Sequence, residues 1–273
     1  MFFHRKELQF NAMPDSPDPV FAKHLQEILG GQFGEMTVAL QYLFQGWNTR
    51  GNEKYRDLVM DTGTEELGHI EMIATMIARL LENAPVQQQE EAAKDPVVAS
   101  ILGGMNPHHA IVSGLGATPE SSTGVPWSGG YIVASGNLLA DMRSNLHAES
   151  QSRLQVARLY EMTDDRGVKD MLSFLLARDT MHQNQWIQAV KELEEKEGVI
   201  VPATAVPYDN KDFTHKLLNF SAGDESAQGS WAQGEAPDGG KFEYVSEPEA
   251  HAGKPELAPA PPYIHNTPPY DQQ

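Results

Sequence analysis

Apolar residues recur at helical spacing in four long segments of the chain. Segment A runs from about Pro19 to Trp47, B from Glu53 to Leu81, C from Ile132 to Met162 and D from Val168 to Glu195. Two short polar runs, Asn48–Asn52 and Thr163–Gly167, join A to B and C to D. Links this short make each pair an antiparallel hairpin. Between the hairpins, residues 84–131 carry Pro85, Pro96, Pro107, Pro119, Pro126 and many glycines. They read as a long crossover with one short helix near Pro96–Leu102. After residue 198 no long period persists, and ten of the 18 prolines fall there. Yet Phe213, Leu217, Phe220, Trp231, Phe242, Tyr244 and Tyr263 are more large apolar groups than a solvated tail would carry. The pattern predicts an all-α fold. Residues 1–197 form a four-helix bundle with 84–131 as crossover, and 198–273 form an extended, mostly irregular tail packed on the bundle or on neighbouring subunits.

Charge and composition narrow the partners. The 273 residues hold 38 Asp and Glu against 20 Lys and Arg, a formal net charge of −18. That excess argues against a nucleic-acid surface, which needs clustered cations, and against docking on anionic lipid. No stretch reaches the roughly 18 apolar residues of a membrane span. The opening Met1–Lys6 is followed by Glu7 and Gln9 rather than an apolar run, so no signal peptide is expected and the location is expected to be cytoplasmic. The chain has no cysteine. Disulfides, thiolate ligands and a cysteine nucleophile are thereby excluded, and any metal must be held by oxygen and imidazole.

Carboxylates interrupt the apolar stripe of every segment. Glu35 shares a face with Val38, Ala39 and Tyr42 in A. In B the stripe is Leu58, Thr62, Glu66, His69, Ile73, Met76 and Leu80. In C it is Met142, Asn145, Glu149, Arg153 and Val156, and in D Leu172, Leu175, Asp179, His182, Trp186 and Val190. A bare carboxylate in a core is costly and needs a compensating positive charge. Three acid-x-x-His pairs occur, Glu66/His69, Asp179/His182 and Asp212/His215, and composition alone supplies one or two. The last lies in the proline-rich tail and is set aside as background. The arrangement of the first two carries the signal. Glu35 precedes Glu66 by 31 residues and Glu149 precedes Asp179 by 30, so each hairpin sets an acid level with an acid-x-x-His. Residues three apart on a helix face the same way. This is the ligand pattern of ferritin-like dimetal carboxylate bundles. The competing reading is a set of buried ion pairs, for which Arg153 is the obvious cation near that level.

At this point the sequence resembles a known family. Gly34-Glu35 with Gln41-Tyr42, Glu65-Glu66-Leu67-Gly68-His69, Ala148-Glu149-Ser150-Gln151-Ser152-Arg153 and Ala177-Arg178-Asp179-Thr180-Met181-His182-Gln183 are similar to segments of the dimanganese (non-haem) catalases. So are Asn219–Ser226 and Gly239–Tyr244 in the tail. The resemblance implies that hydrogen peroxide is disproportionated to dioxygen and water by two manganese ions cycling between II and III. It implies Glu35, Glu66, His69, Glu149 and His182 as ligands, with Glu66 bridging, and Tyr42 as a hydrogen-bond donor to a ligand carboxylate. Asp179 would be an acid/base beside the metals rather than a ligand. Two positions depart from the family pattern. Asp179 stands where Glu is common, which retracts the carboxyl by roughly 1.5 Å. Ala148 stands where some members carry a gating Arg, which would leave the approach more open, with Arg153 supplying part of the missing charge.

The resemblance also implies calcium at Asp57 and Asp61 with Asn219, Ser221 and Gly223, all hard oxygen donors, and a homohexamer clasped by its tails. Other features read as structural. His147 points away from the site, His108-His109 read as a solvated loop pair, and Met60, Met72, Met76, Met142, Met171 and Met181 read as core or near-core. Trp127 and Tyr131 are expected to pack the crossover across helix ends. The competing functions are a ferritin-like di-iron oxidase or storage protein, a di-iron oxygenase in which Asp179 would have to coordinate, and a spore-coat-type structural relative.

Overall fold

The structure, a computed structural model, describes residues 4–83, 106–258 and 260–265. The chain divides into two compact units, Met1–Thr204 and Ala205–Gln273. In the first, α1 spans Pro19–Gly30, α2 Glu35–Asn48, α3 Glu53–Leu80, the short α4 Pro107–Ile111, α5 Leu138–Glu161 and α6 Arg166–Glu197. Helices α2 and α3 form one hairpin, α5 and α6 the other, and α1 packs along α3.

Local chemistry sets these boundaries. Asp18, Asn52, Asn137 and Asp165 cap α1, α3, α5 and α6 by accepting hydrogen bonds from free backbone N–H groups of the first turn. Pro19 opens α1, where its missing N–H costs nothing. Segment A is not the single helix its periodicity predicts. It breaks after Gly30, and α2 restarts at Glu35 behind Gly34. The break has a steric cause. A Cβ on Gly30 would lie 2.5 Å from the carbonyl oxygen of Glu120, and one on Gly34 would lie 2.8 Å from that of Leu29. Glycine lets the crossover and the preceding turn approach this closely. Segment C likewise begins later than expected, at Leu138, because residues 132–137 stay extended or turning and Asp141 accepts from the backbone N–H groups of Ser135 and Gly136.

In the crossover, buried Gln26 of α1 donates to the carbonyls of Thr118 and Glu120 and accepts from the N–H of Thr118. Trp127 donates its indole N–H to Thr37 at the start of α2. The expected helix near Pro96–Leu102 lies outside the described residues. His109 corrects the solvated-pair expectation. It is fully buried against Gln26, while His108 is half-exposed and pairs with Glu120 at 2.8 Å.

Apolar packing falls into two clusters. One gathers Phe21, Leu25, Ile28, Met72, Ile73, Met76, Val156, Leu172 and Leu175, and the other Val38, Tyr42, Val59, Met142, Trp186 and Leu193. Along α3, α5 and α6 the two clusters occupy opposite ends, and the stripe acids and histidines fall between them. Met181, expected near the core, is exposed, since it lies beside the stripe rather than on it.

The second unit is mostly irregular, as its sequence predicts, and carries one small sheet. Strands β1 (Lys216–Asn219), β2 (Gly234–Glu235) and β3 (Lys241–Ser246) form a sheet in the order β1-β3-β2. β1 runs parallel to β3 with Lys216 opposite Glu243, and β2 runs antiparallel to it. Strands this short carry too little alternation to be read from hydrophobic pattern. The short helix α7 (Pro262–His265) follows.

Candidate metal centre

Glu35, Glu66, His69, Glu149, Asp179 and His182 are all buried, none more than 2% exposed. Each hairpin delivers its first acid early or midway along one helix and its acid-x-x-His pair midway along the next. Two overlapping groups result, Glu35/Glu66/His69 and Glu66/Glu149/His182, each able to offer ligand atoms within 4.8 Å of one another.

Glu66 belongs to both groups. Its Oε2 lies 2.6 Å from Nδ1 of His69, and its Oε1 lies 2.8 Å from Nδ1 of His182. Glu35 Oε1 is 3.9 Å from Nδ1 of His69, and Glu149 Oε1 is 3.3 Å from Nδ1 of His182. Tyr42, fully buried against Trp186, donates its hydroxyl to Glu149 Oε1 at 2.5 Å.

The electrostatics of this cluster are those of acids in want of cations. Burial, then Glu66, pushes the Glu35 and Glu149 carboxyls up. Burial, then the charges of Glu149 and Glu66, pushes Asp179 well up. Burial also pushes Glu66 up, but the two histidines outweigh it and hold this carboxyl well below its usual range. Burial opposes protonation of His69 and His182, yet the carboxylates around them overcome it and drive both well above the usual imidazole range. The polar atoms are also under-used. Glu35 Oε1, Asp179 Oδ2, Nε2 of His69 and both ring nitrogens of His182 have no aligned hydrogen-bond partner. Buried donors and acceptors are normally paired, so this set fits metal ions that would displace the protons held there and supply the missing partners. Hard carboxylates with one imidazole per position suit manganese or iron better than copper or zinc.

The remaining expected residues divide. Ala148 is buried among Met142, Trp186 and their neighbours. Arg153 is exposed, its Nε donating to Thr180 Oγ1 at 3.2 Å, so it is not part of the buried stripe. The buried α5 stripe instead passes from Glu149 through Ser152 to Val156, the i, i+3, i+7 rule that a four-residue step misses. His147 is exposed and meets Phe33 edge-on. Asp57 and Asp61 are exposed on α3. In the second unit, Asn219 accepts from the N–H and hydroxyl of Ser221 and donates to the carbonyl of Gly223. His215 of the discarded third pair meets Asp238 at 3.0 Å.

The sequence reading gave no role to Glu65 and Arg178, although both lie inside the motifs. They form an ion pair of 2.5 Å at the edge of the site, with Glu65 also facing both histidines. Their signal was adjacency: each directly precedes a stripe acid.

A family model described as manganese-containing catalase matches residues 1–272. The chain belongs to this family. It is 73% identical over 268 residues to a manganese catalase of Bacillus subtilis, covering 98% of both chains. It is 51% identical over 266 residues to a manganese catalase of Lactiplantibacillus plantarum, covering 97% of this chain and 99% of that one. The crystal structure of KatB, a manganese catalase from Anabaena, superposes with a TM-score of 0.69 at 27% identity, covering 91% of this chain and all of that one. Disproportionation of hydrogen peroxide is the function of the manganese catalases, and their ferritin-like bundle is the architecture described above. Among the described residues, no helix is long and apolar enough to cross a membrane.

Proposed function

We propose that this chain disproportionates hydrogen peroxide to dioxygen and water with two manganese ions held by Glu35, Glu66, His69, Glu149 and His182. The observation that carries the reading is the sharing of Glu66 between two buried ligand groups, one carboxylate oxygen toward each histidine. When bound, two manganese ions cycling between II and III supply the two-electron store that the reaction needs.

The chain's own groups do the rest. Glu66 and the two imidazoles would hold the ions from the centre of the cluster, with Glu35 and Glu149 as the remaining ligands. Burial, then neighbouring Glu149, keeps the Tyr42 phenol protonated, so it stays a donor and fixes the orientation of Glu149. The apolar layers on either side keep bulk water out. One peroxide releases two protons as it becomes dioxygen, and the other takes up two as it becomes water. Asp179 is buried, prone to hold a proton, and has Oδ2 without a partner, which suits it to store and return a proton at that atom. It serves as acid/base and not as a ligand.

The proposal extends to calcium, for which Asp57 and Asp61 on α3 and, separately, Asn219, Ser221 and Gly223 of the second unit offer hard oxygen donors, and to a cytoplasmic homohexamer. Elemental analysis joined to oxygen evolution from peroxide tests the central claim. Two manganese per chain without oxygen evolution would overturn it. Calcium in the same analysis, and size-exclusion chromatography before and after truncation near Val199, test the rest.

A further inference from the structure

Adjacent residues of α3 face opposite edges of the same two imidazoles. The rings of His69 and His182 lie side by side, with centroids 5.9 Å apart and 26° between their planes. Glu66 meets both rings at Nδ1. Glu65 meets both at Nε2, with Oε1 3.6 Å from His69 and Oε2 3.4 Å from His182. From the other side Arg178 grips Glu65, with Nε 2.5 Å from Oε1 and Nη2 3.3 Å from Oε2. Each oxygen of Glu65 therefore faces one imidazole and one guanidinium nitrogen. Neither Nε2 has a hydrogen-bond partner at closer range.

A neutral imidazole carries a single N–H, and an ionised carboxylate only accepts. Glu66 competes for a proton at Nδ1, but where a metal takes the place of that proton, a carboxylate at Nε2 would hold the one remaining N–H there and leave the Nδ1 lone pair for the metal. The distances exceed a good hydrogen bond by a few tenths of an ångström, about what a small rotation of either ring recovers. We infer that Glu65, clamped by Arg178, is a shared positioning residue that sets the tautomer and ring orientation of both histidines toward the two metal positions. The inference rests on the metal reading above. Its distinctive content is that one carboxylate serves both histidines, so its loss disturbs both positions at once.

The side chains of Glu65 and Arg178 are 27% and 34% exposed, so polar substitution there opens no core cavity. The test loads the full-length protein with manganese and follows metal loss to excess EDTA, with the electron paramagnetic resonance spectrum of the manganese-loaded protein as a second readout. In E65Q the amide accepts with one oxygen only, so it cannot serve both Nε2–H groups. We expect both manganese ions to leave roughly 10- to 100-fold faster, with an altered spectrum and an unchanged helical content of the metal-free form by circular dichroism. R178Q, which frees Glu65 without removing it, should show a smaller change in the same direction. Wild-type retention and spectrum in E65Q would overturn the inference, and should E65Q not fold, the same result in R178Q would do so. A wild-type chain that takes up no manganese would overturn the metal reading and this inference together. A wild type that loads normally beside an indifferent E65Q overturns the inference alone.

Discussion

The two hairpins repeat one pattern, and the repeat is unequal. On α3 the acid of the acid-x-x-His pair is Glu66, which touches both histidines. On α6 it is Asp179, equally buried, with one oxygen that has no hydrogen-bond partner. The partner acids differ too. Glu149 receives the Tyr42 hydroxyl, while Glu35 Oε1 receives nothing. Identical spacing on two helices thus yields one acid at the centre of the cluster and one beside it. The spacing sets which face a residue shares, and side-chain length sets what it reaches.

Breaking the central acid should have the largest effect. Glu66→Ala removes the carboxylate common to both ligand groups, so manganese content and oxygen evolution should both fall to background. Retained manganese at two per chain would refute the shared role. Breaking the outlying acid should separate metal from chemistry. Asp179→Asn should keep two manganese per chain and lower kcat by about 10²- to 10⁴-fold, the range for losing a general acid/base. Loss of manganese from that variant would instead make Asp179 a ligand and erase the asymmetry between the hairpins. Asp179→Glu restores the reach of the longer side chain and should keep most of the activity.

Much of this was legible in the sequence because a helix converts spacing into direction. Glu35, Glu66, His69, Glu149, Asp179 and His182 could be placed on inward faces from periodicity and two short turns alone. The parts that escaped depend on contacts that no period encodes. The break at Gly30 reflects the close pass of the Glu120 backbone, and the burial of His109 depends on Gln26, 83 residues away. The sheet of the second unit rests on pairings between strands of two to six residues. Glu65 was missed because it lies beside the buried stripe. Its role comes from the side-by-side histidines of two different hairpins.

Protons offer a subtler test of the same cluster. In the metal-free protein Glu35, Glu149 and Asp179 are raised above their ordinary values of 4.5, 4.5 and 3.8, chiefly by burial. Above those values the unfolded chain has released these protons while the folded chain keeps them. His69 and His182 are raised above 6.5 because their carboxylate neighbours outweigh burial, and they act with the same sign above that value. Burial raises Glu65 and Glu66, but the histidines and, for Glu65, Arg178 outweigh it and lower both, so their stabilisation is fully present and constant at neutral pH and is lost only as pH falls below about 4.5. The folded state therefore binds more protons between pH 5 and 8, and the metal-free protein should lose stability as pH rises. Manganese would displace those protons and remove the slope. The melting temperatures of loaded and EDTA-stripped protein should diverge by several degrees from pH 5 to pH 8. A constant gap would mean that the cluster does not exchange protons for metal.

The smallest effect is expected at Arg153, and it sharpens the contrast with Arg178 on the facing helix of the same hairpin. Arg178 pairs with Glu65 beside both histidines. Arg153 is exposed and is held by the neutral hydroxyl of Thr180. A charge in that position is screened by solvent and salt, and hydrogen peroxide is uncharged, so no electrostatic steering of substrate is available to lose. Arg153→Ala should leave two manganese per chain and change kcat/KM by less than about threefold, within the range of surface substitutions. A tenfold loss, or a dependence on ionic strength that disappears in the variant, would show that Arg153 reaches the site in the working enzyme. The charge balance of the cluster would then have to include a cation from outside the buried layer.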